Sequence, residues 1–225
     1  MEYLRLERRV KGCVATSFAD DCGFLVEAKS IAELVVQLEE AGNLAIDWGR
    51  ENLLQFDHAK TEAVVFTKQR KIQTQIRRAK IRICDHSLSF NVEATRWLGF
   101  WLDSALTFRT HKDVHEQKAR RAEARLRSIV SKNGLSPGLV RKIQIAAVQS
   151  VALYGAELWW HNQKKWEQSI QKLVNRQGRT ITGTFPGSPV GVVVKEAGLR
   201  PAISLLNNRQ RRYAQRLLSL PTENL

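Results

Sequence analysis

Apolar and polar residues alternate over two short stretches near the start of the chain. Residues 10–18 carry Val10, Cys13, Val14, Ala15 and Phe18, and 22–27 carry Cys22, Phe24 and Val26. So brief a separation predicts a hairpin with Ala19, Asp20 and Asp21 at its turn. Ser30 followed by Glu33 is the spacing of a capping box, and Leu34, Leu38, Ala41, Ala45 and Trp48 then recur at helical intervals. A helix to about residue 50 follows. Short strands are expected at 53–56, 62–66 and 80–84, with 87–90 pairing back across Asp85-His86-Ser87, and an extended segment over 95–102. From about Thr110 the pattern becomes helical, ending at Asn133-Gly134. Ser136-Pro137 restarts a helix that the pattern carries to about residue 160. A third helix covers about 164–182, where "GTFPGSP" breaks it, and two more are expected at 189–197 and 201–218. No repeat of fixed period is visible.

The expected fold class is α+β: an antiparallel sheet with a packed helix over 1–108, then an all-helical region over 109–225. The charge sharpens this division. The chain holds 36 Lys+Arg against 22 Asp+Glu, a net of +14. Residues 1–109 hold 16 basic and 15 acidic residues, while 110–225 hold 20 and 7. Nearly all the excess lies in the second half, and arginine predominates there, which points to a polyanion partner rather than a merely solvated face. Cys13, Cys22 and Cys84 form no close pair, so neither a zinc ribbon nor a disulfide framework is expected. No apolar run is long enough to span a bilayer, and "MEYLRLERRVKG" has no apolar signal core. The expected setting is intracellular, nuclear or cytoplasmic, with no membrane and no disulfide partner.

Asp20 and Asp21 interrupt an apolar run, "SFADDCGFLV". Hard divalent cations take carboxylate oxygens, and a hairpin tip can project two of them into a cleft while its strands anchor them. Taken alone, the dipeptide reads as a solvated turn at least as readily as a metal site. Its company changes the weighting: "FDHAKTEAVVF" (56–66) and "TRWLGFWLDSALTFRTH" (95–111) follow in that order, then "ALYGAELWW" (152–160) and "LLNNRQRRYAQRLLSLP" (205–221). This series resembles the reverse transcriptases of non-LTR retrotransposons, most closely the fungal kind, from about residue 12 to the end.

The resemblance implies a polymerase palm followed by a basic helical thumb, with an RNA template, a DNA primer and deoxynucleotides as partners and Mg²⁺ or Mn²⁺ as cofactor. "SFADD" corresponds to the third catalytic box, which implies that Asp20 is a metal ligand with Asp21 beside it. "AKTEAVVF" corresponds to the fourth, placing Lys60 near the incoming nucleotide's phosphates as a proton donor. "RWLGFWL" corresponds to the primer grip, with Trp97, Leu98 and Gly99 in its hairpin and Gly99 permitting close backbone approach. Without the resemblance Lys60 reads as a surface lysine, and Trp97, Phe100 and Trp101 as packing of an edge hairpin.

In the family the first box supplies an aspartate from a separate strand before the hairpin. Residues 1–19 contain no aspartate, and Asp47 and Asp57 lie in the wrong chain order to replace it. The chain is therefore expected to be a piece of the polymerase without fingers, inactive alone; the alternative is a nucleic-acid-binding remnant without catalysis. Phosphate contacts are expected from Lys112, Arg120, Arg121, Arg125, Arg141 and Lys142. His111 and His115 have the i, i+4 spacing of zinc ligands, but no third ligand is evident, and contact with backbone or nucleic acid is the stronger reading. The leucines around the basic run at 209–216 and the tryptophans Trp159, Trp160 and Trp166 are expected to pack.

Overall fold

The structure is a computed structural model that describes Val10 and residues 12–221. It is a mixed α+β chain that divides into two units between Thr107 and Phe108.

In the first unit β1 (Cys13–Phe18) and β2 (Asp21–Val26) pair antiparallel, from Cys13↔Val26 to Phe18↔Asp21. The turn is thus only Ala19-Asp20, and Asp21 already belongs to the ladder. Alternation sends Cys13, Ala15, Cys22, Phe24 and Val26 to one face, where they pack on Ala41, Leu44 and Trp48 of α1 (Ile31–Glu51). Ser30 Oγ accepts the Glu33 N–H at 3.2 Å, and the Glu33 carboxylate reaches back to the Lys29 N–H at 3.0 Å. The helix leaves through a left-handed residue, Leu53 (φ 56°), with Leu54 N–H returned to Gly49 O at 2.8 Å. This is a Schellman closure with leucine where glycine usually stands. It consumes the segment expected to be a strand at 53–56, which is irregular.

The remaining strands are short. β3 (Ala63–Val64) runs parallel to β5 (His86–Asn91), and after the short α2 (Gln73–Arg78) comes β4 (Lys80–Ile83), antiparallel to β5. β6 (Thr95–Trp97) and β7 (Phe100–Leu102) form a further hairpin. The sequence pattern predicts one antiparallel sheet; among the described residues the strands form three small sheets, one with a parallel pair. Two-residue connections close each hairpin on itself, so the pairing is satisfied locally. The sheet of β3, β4 and β5 is covered by α1 through Ile31, Leu34, Val35 and Leu38.

The second unit is helical: α3 (Arg109–Asn133), α4 (Pro137–Ile143), a π-helical stretch Gln144–Gln149, α5 (Ser150–Ala152), α6 (Ala156–Trp159), α7 (Lys164–Thr182), α8 (Val190–Glu196) and α9 (Ala202–Leu218). One core joins them, built on Val140, Val148, Trp159, Trp160, Leu173, Val174 and Leu206. The single helix expected over 136–160 is interrupted at Gly155, whose φ of 64° lies outside the helical region. At the π turn Gln144 and Gln149 are both buried, and Gln177 of α7 bridges them, donating to Gln144 Oε1 at 3.0 Å and accepting from Gln149 Nε2 at 3.1 Å. α9 docks through Ala202 and Leu206 near its start. Leu205 and Leu206 dock as expected, but the far end does not: Leu218 is 86% exposed.

Among the described residues no helix is long and apolar enough to cross a membrane, and all three cysteines are free thiols.

Candidate functional site

The hairpin that carries Asp20 and Asp21 is rooted by its inner face and largely exposed on its outer one. Ala15 is buried against Phe24, Leu44 and Trp48, while Val14, Phe18 and Leu25 on the opposite face are more than half exposed. Both aspartates are exposed. Among the described residues neither carboxylate has an ion-pair or hydrogen-bond partner. Ala19, immediately before Asp20, has φ 54°. That conformation costs a residue with a β-carbon of order 1 kcal/mol, and residues held so are enriched where a site needs a fixed geometry.

The outer face of the hairpin meets the second motif at Gly23, which lies opposite Thr16 in the ladder. A methyl group there would lie 3.2 Å from both Cη2 and Cζ2 of Trp97. A side chain at position 23 would therefore crowd the indole of β6, which packs on Gly23 two residues along the strand from Asp21. Leu98 (φ 46°) and Gly99 (φ 82°) form the two-residue turn between β6 and β7. Positive φ at both positions is what such a turn demands, so Gly99 serves the turn itself.

The third motif joins the others through the backbone. Thr67, just after "AKTEAVVF", donates its N–H to Ser104 O, just after "RWLGFWL", at 2.7 Å. Lys60 sits in a single 3₁₀ turn, capped by Asp57, and its ammonium lies 3.3 Å from the Asp57 carboxylate. The Ala59 N–H and then Lys60 hold the Asp57 carboxyl below its ordinary range. Lys60 itself is 84% exposed, so this pairing leaves its head in solvent.

As a donor set, Asp20 and Asp21 offer hard oxygens that suit Mg²⁺ or Mn²⁺, ions commonly held by one or two carboxylates with water and substrate phosphate completing the shell. Among the described residues no group of three or more Asp, Glu, His or Cys side chains converges.

In the second unit the six residues expected to meet phosphate divide into two sets. Lys112 is buried, with its ammonium on Glu116 and 3.7 Å from Asp113. Arg120 also pairs with Glu116, and Arg141 Nε donates to Gly198 O at 3.1 Å. Burial by itself would raise the Glu116 pKa, but hydrogen bonds from Lys112 and Ser169, the Lys112 charge and Arg120 together hold it down to about 2. Lys112 is thus part of the interior and unavailable to a ligand: the i, i+4 carboxylate takes its charge. Arg121, Arg125 and Lys142 are exposed and, among the described residues, unpaired. The same holds for Lys165, Lys172 and Arg176 on α7, which sequence reasoning passed over. Their spacing of seven and four residues puts them on one helix face, and that spacing was the available signal.

His111 and His115 each meet a backbone carbonyl, His111 Nε2 to Tyr154 O and His115 Nδ1 to Val151 O, both at 3.0 Å. Their rings are 4.4 Å apart, and the His115 ring stacks on Tyr154. They serve carbonyls where the helical path breaks before Gly155, and Trp159 Nε1 adds a second donor to Tyr154 O at 2.9 Å. No protein-family model, curated protein or solved structure significantly matches the chain.

Proposed function

We propose that the chain is the palm and thumb portion of a retrotransposon reverse transcriptase, with the hairpin of Asp20 and Asp21 as its contribution to the metal site and the helical unit as its nucleic-acid face. The observation that carries this reading is the seating of Trp97 over Gly23, which joins the aspartate hairpin to the segment resembling the primer grip. The Thr67–Ser104 hydrogen bond ties in the lysine-bearing segment as well. Three motifs separated in sequence thus meet in one unit, a convergence that their separate roles as idle turn, surface loop and edge hairpin would not require. In such an enzyme the divalent ions activate the primer hydroxyl and stabilise the displaced phosphate. The chain's own part is to present two exposed carboxylates on a rooted hairpin and to hold the primer end through the turn at Leu98 and Gly99.

Metal-dependent transfer asks for a further carboxylate from another strand, and residues 1–19 hold no aspartate. The isolated chain is accordingly inactive or nearly so in primer extension on an RNA template; robust extension lost in Asp20→Asn would overturn that part of the reading. The site itself is tested with Mn²⁺ in the presence of an RNA–DNA hybrid. Paramagnetic broadening of amides at 18–22, abolished in Asp20→Asn, is expected. Its absence would remove the metal site from the proposal.

A second reading, nucleic-acid binding without catalysis, is favoured by the concentration of basic charge after residue 109. It makes hybrid binding steeply salt-dependent and indifferent to Asp20→Asn. A log–log salt slope near zero would exclude both readings.

A further inference from the structure

The Thr67–Ser104 bridge closes one wall of a solvent-open cavity of about 560 Å³, whose polar lining is Thr67, Lys68, Gln73, Thr74, Arg77 and Ser104. Two features set it apart from an ordinary surface hollow. Among the described residues its wall contains two cations and no carboxylate, and neither Lys68 nor Arg77 has an ion-pair partner. The carboxylate nearest in sequence, Asp103, is committed to its own loop: it accepts N–H bonds from Ala105 at 3.2 Å and Thr107 at 2.9 Å, and the Thr107 hydroxyl at 3.1 Å. The Thr67 hydroxyl accepts from the Gln69 N–H at 3.1 Å, which leaves its own hydrogen to donate.

From this lining we propose that the cavity binds a phosphate group. Arg77 offers a planar fork and Lys68 a point charge, and three hydroxyls can each turn a hydrogen inward, so the wall supplies far more donors than acceptors. A tetrahedral anion with several oxygens satisfies such a wall, and its bonds to the cations are of the stronger, charge-assisted kind. The volume exceeds that of a single phosphate and accommodates what the phosphate is attached to. The group can come from a free polyphosphate or from the diester backbone of a polynucleotide. The site does not depend on the polymerase reading, since none of its residues is among those assigned to metal or primer.

The test uses the full chain, isotopically labelled, titrated in separate arms with pyrophosphate and with a short single-stranded oligodeoxynucleotide. Saturable movement of the Thr67, Thr74 and Ser104 amides is expected in at least one arm. Movement with pyrophosphate alone assigns a free polyphosphate, movement with the oligonucleotide alone assigns the backbone, and movement with both assigns the shared group. Arg77→Gln and Lys68→Gln each weaken binding about tenfold, the effect of losing one charge-assisted contact. Thr74→Val, which keeps both charges, weakens it about threefold. Lys29→Gln removes an equal charge elsewhere in the unit and changes affinity about twofold at most. Still amides in both arms would overturn the proposal, as would a Lys29→Gln effect equal to that of Arg77→Gln.

Discussion

The two units turn their chains by different means. In the helical unit positive φ falls on Gly134, Gly155, Gly183 and Gly198, and otherwise on Asn162 and on Phe108 at its first residue. In the first unit it falls on Ala19, Leu53, Cys84, Leu98 and Leu106, with glycine only at Gly12 and Gly99. Three of those five open the two-residue loops of hairpins: Ala19, Cys84 and Leu98. Asparagine and glycine accept that backbone cheaply, whereas alanine, leucine and cysteine hold it at a cost of about 1–3 kcal/mol each when their surroundings compel it. Apart from Phe108, the helical unit is thus punctuated by residues suited to its turns. The first unit keeps strain, and two of its strained positions adjoin residues proposed for function, Asp20 and Gly99.

The largest test of this contrast loads the helical core. Trp160 is fully buried, and its Nε1–H donates to Asn207 Oδ1 at 2.9 Å. Trp160→Ala is expected to cost about 3–5 kcal/mol. Hydrogen exchange resolved by residue should show the loss in 108–221 and not in the aspartate hairpin; equal loss in both would mean that the units unfold together.

Acid is the next lever. Glu116 titrates at about 2 in the folded chain and near the ordinary 4.5 when unfolded. Its contribution is therefore fully present above 4.5 and lost as pH falls toward 2, roughly 3 kcal/mol in all. Burial, followed by the charges of His115 and Lys118, outweighs the Tyr154 carbonyl and lowers the His111 pKa below 6.5. The unfolded chain takes that proton first, so the helical unit begins to weaken as pH drops below 6.5. Denaturant midpoints measured across pH should fall in these two windows, and Glu116→Gln should flatten the lower one. An unchanged profile in that variant would show that the Lys112–Glu116–Arg120 cluster is not its source.

The smallest effects address the backbone directly. Gly183 (φ 67°) has open space around the position of a β-carbon, so Gly183→Ala adds only conformational strain and is expected to lose about 1 kcal/mol. Ala19→Gly should do the reverse and gain about 0.5 kcal/mol after the entropy of glycine is counted. Thermal melts of the pair would erase the contrast between the units if both changes had the same sign.

What the sequence conveys of this fold follows from how local each feature is. The cap at Ser30 and the stripe from Leu34 to Trp48 are read within one helix, and α1 is where they put it. The hairpin around Asp20 and Asp21 is equally local, although the pattern left the turn one residue too long. The exit at Leu53 escaped because leucine gives no sign of a left-handed residue. Gly23 is a different case: a glycine inside a strand is a signal of close approach, but only the fold reveals that the neighbour is Trp97. Lys112 was misjudged because amphipathic reading assigns lysine to the outer face. The carboxylate four residues on, Glu116, was the clue that the charge could be taken inside.

The π turn at 144–149 has a consequence for the chain's tolerance of change. It makes Gln144 and Gln149, five residues apart, work as one side of the helix, so the rod has two core-facing frames joined out of phase. Val140 and Gln144 belong to the frame before the join, and Gln149 and Ala152 to the frame after it. Deleting one residue there would put Gln144 and Gln149 four apart in an ordinary α-helix, so the core positions up to Gly155 would keep their face, whereas adding one would turn them away from their partners. The segment with the least regular hydrogen bonding is thus the place where the helix can be shortened by one residue and still face its core.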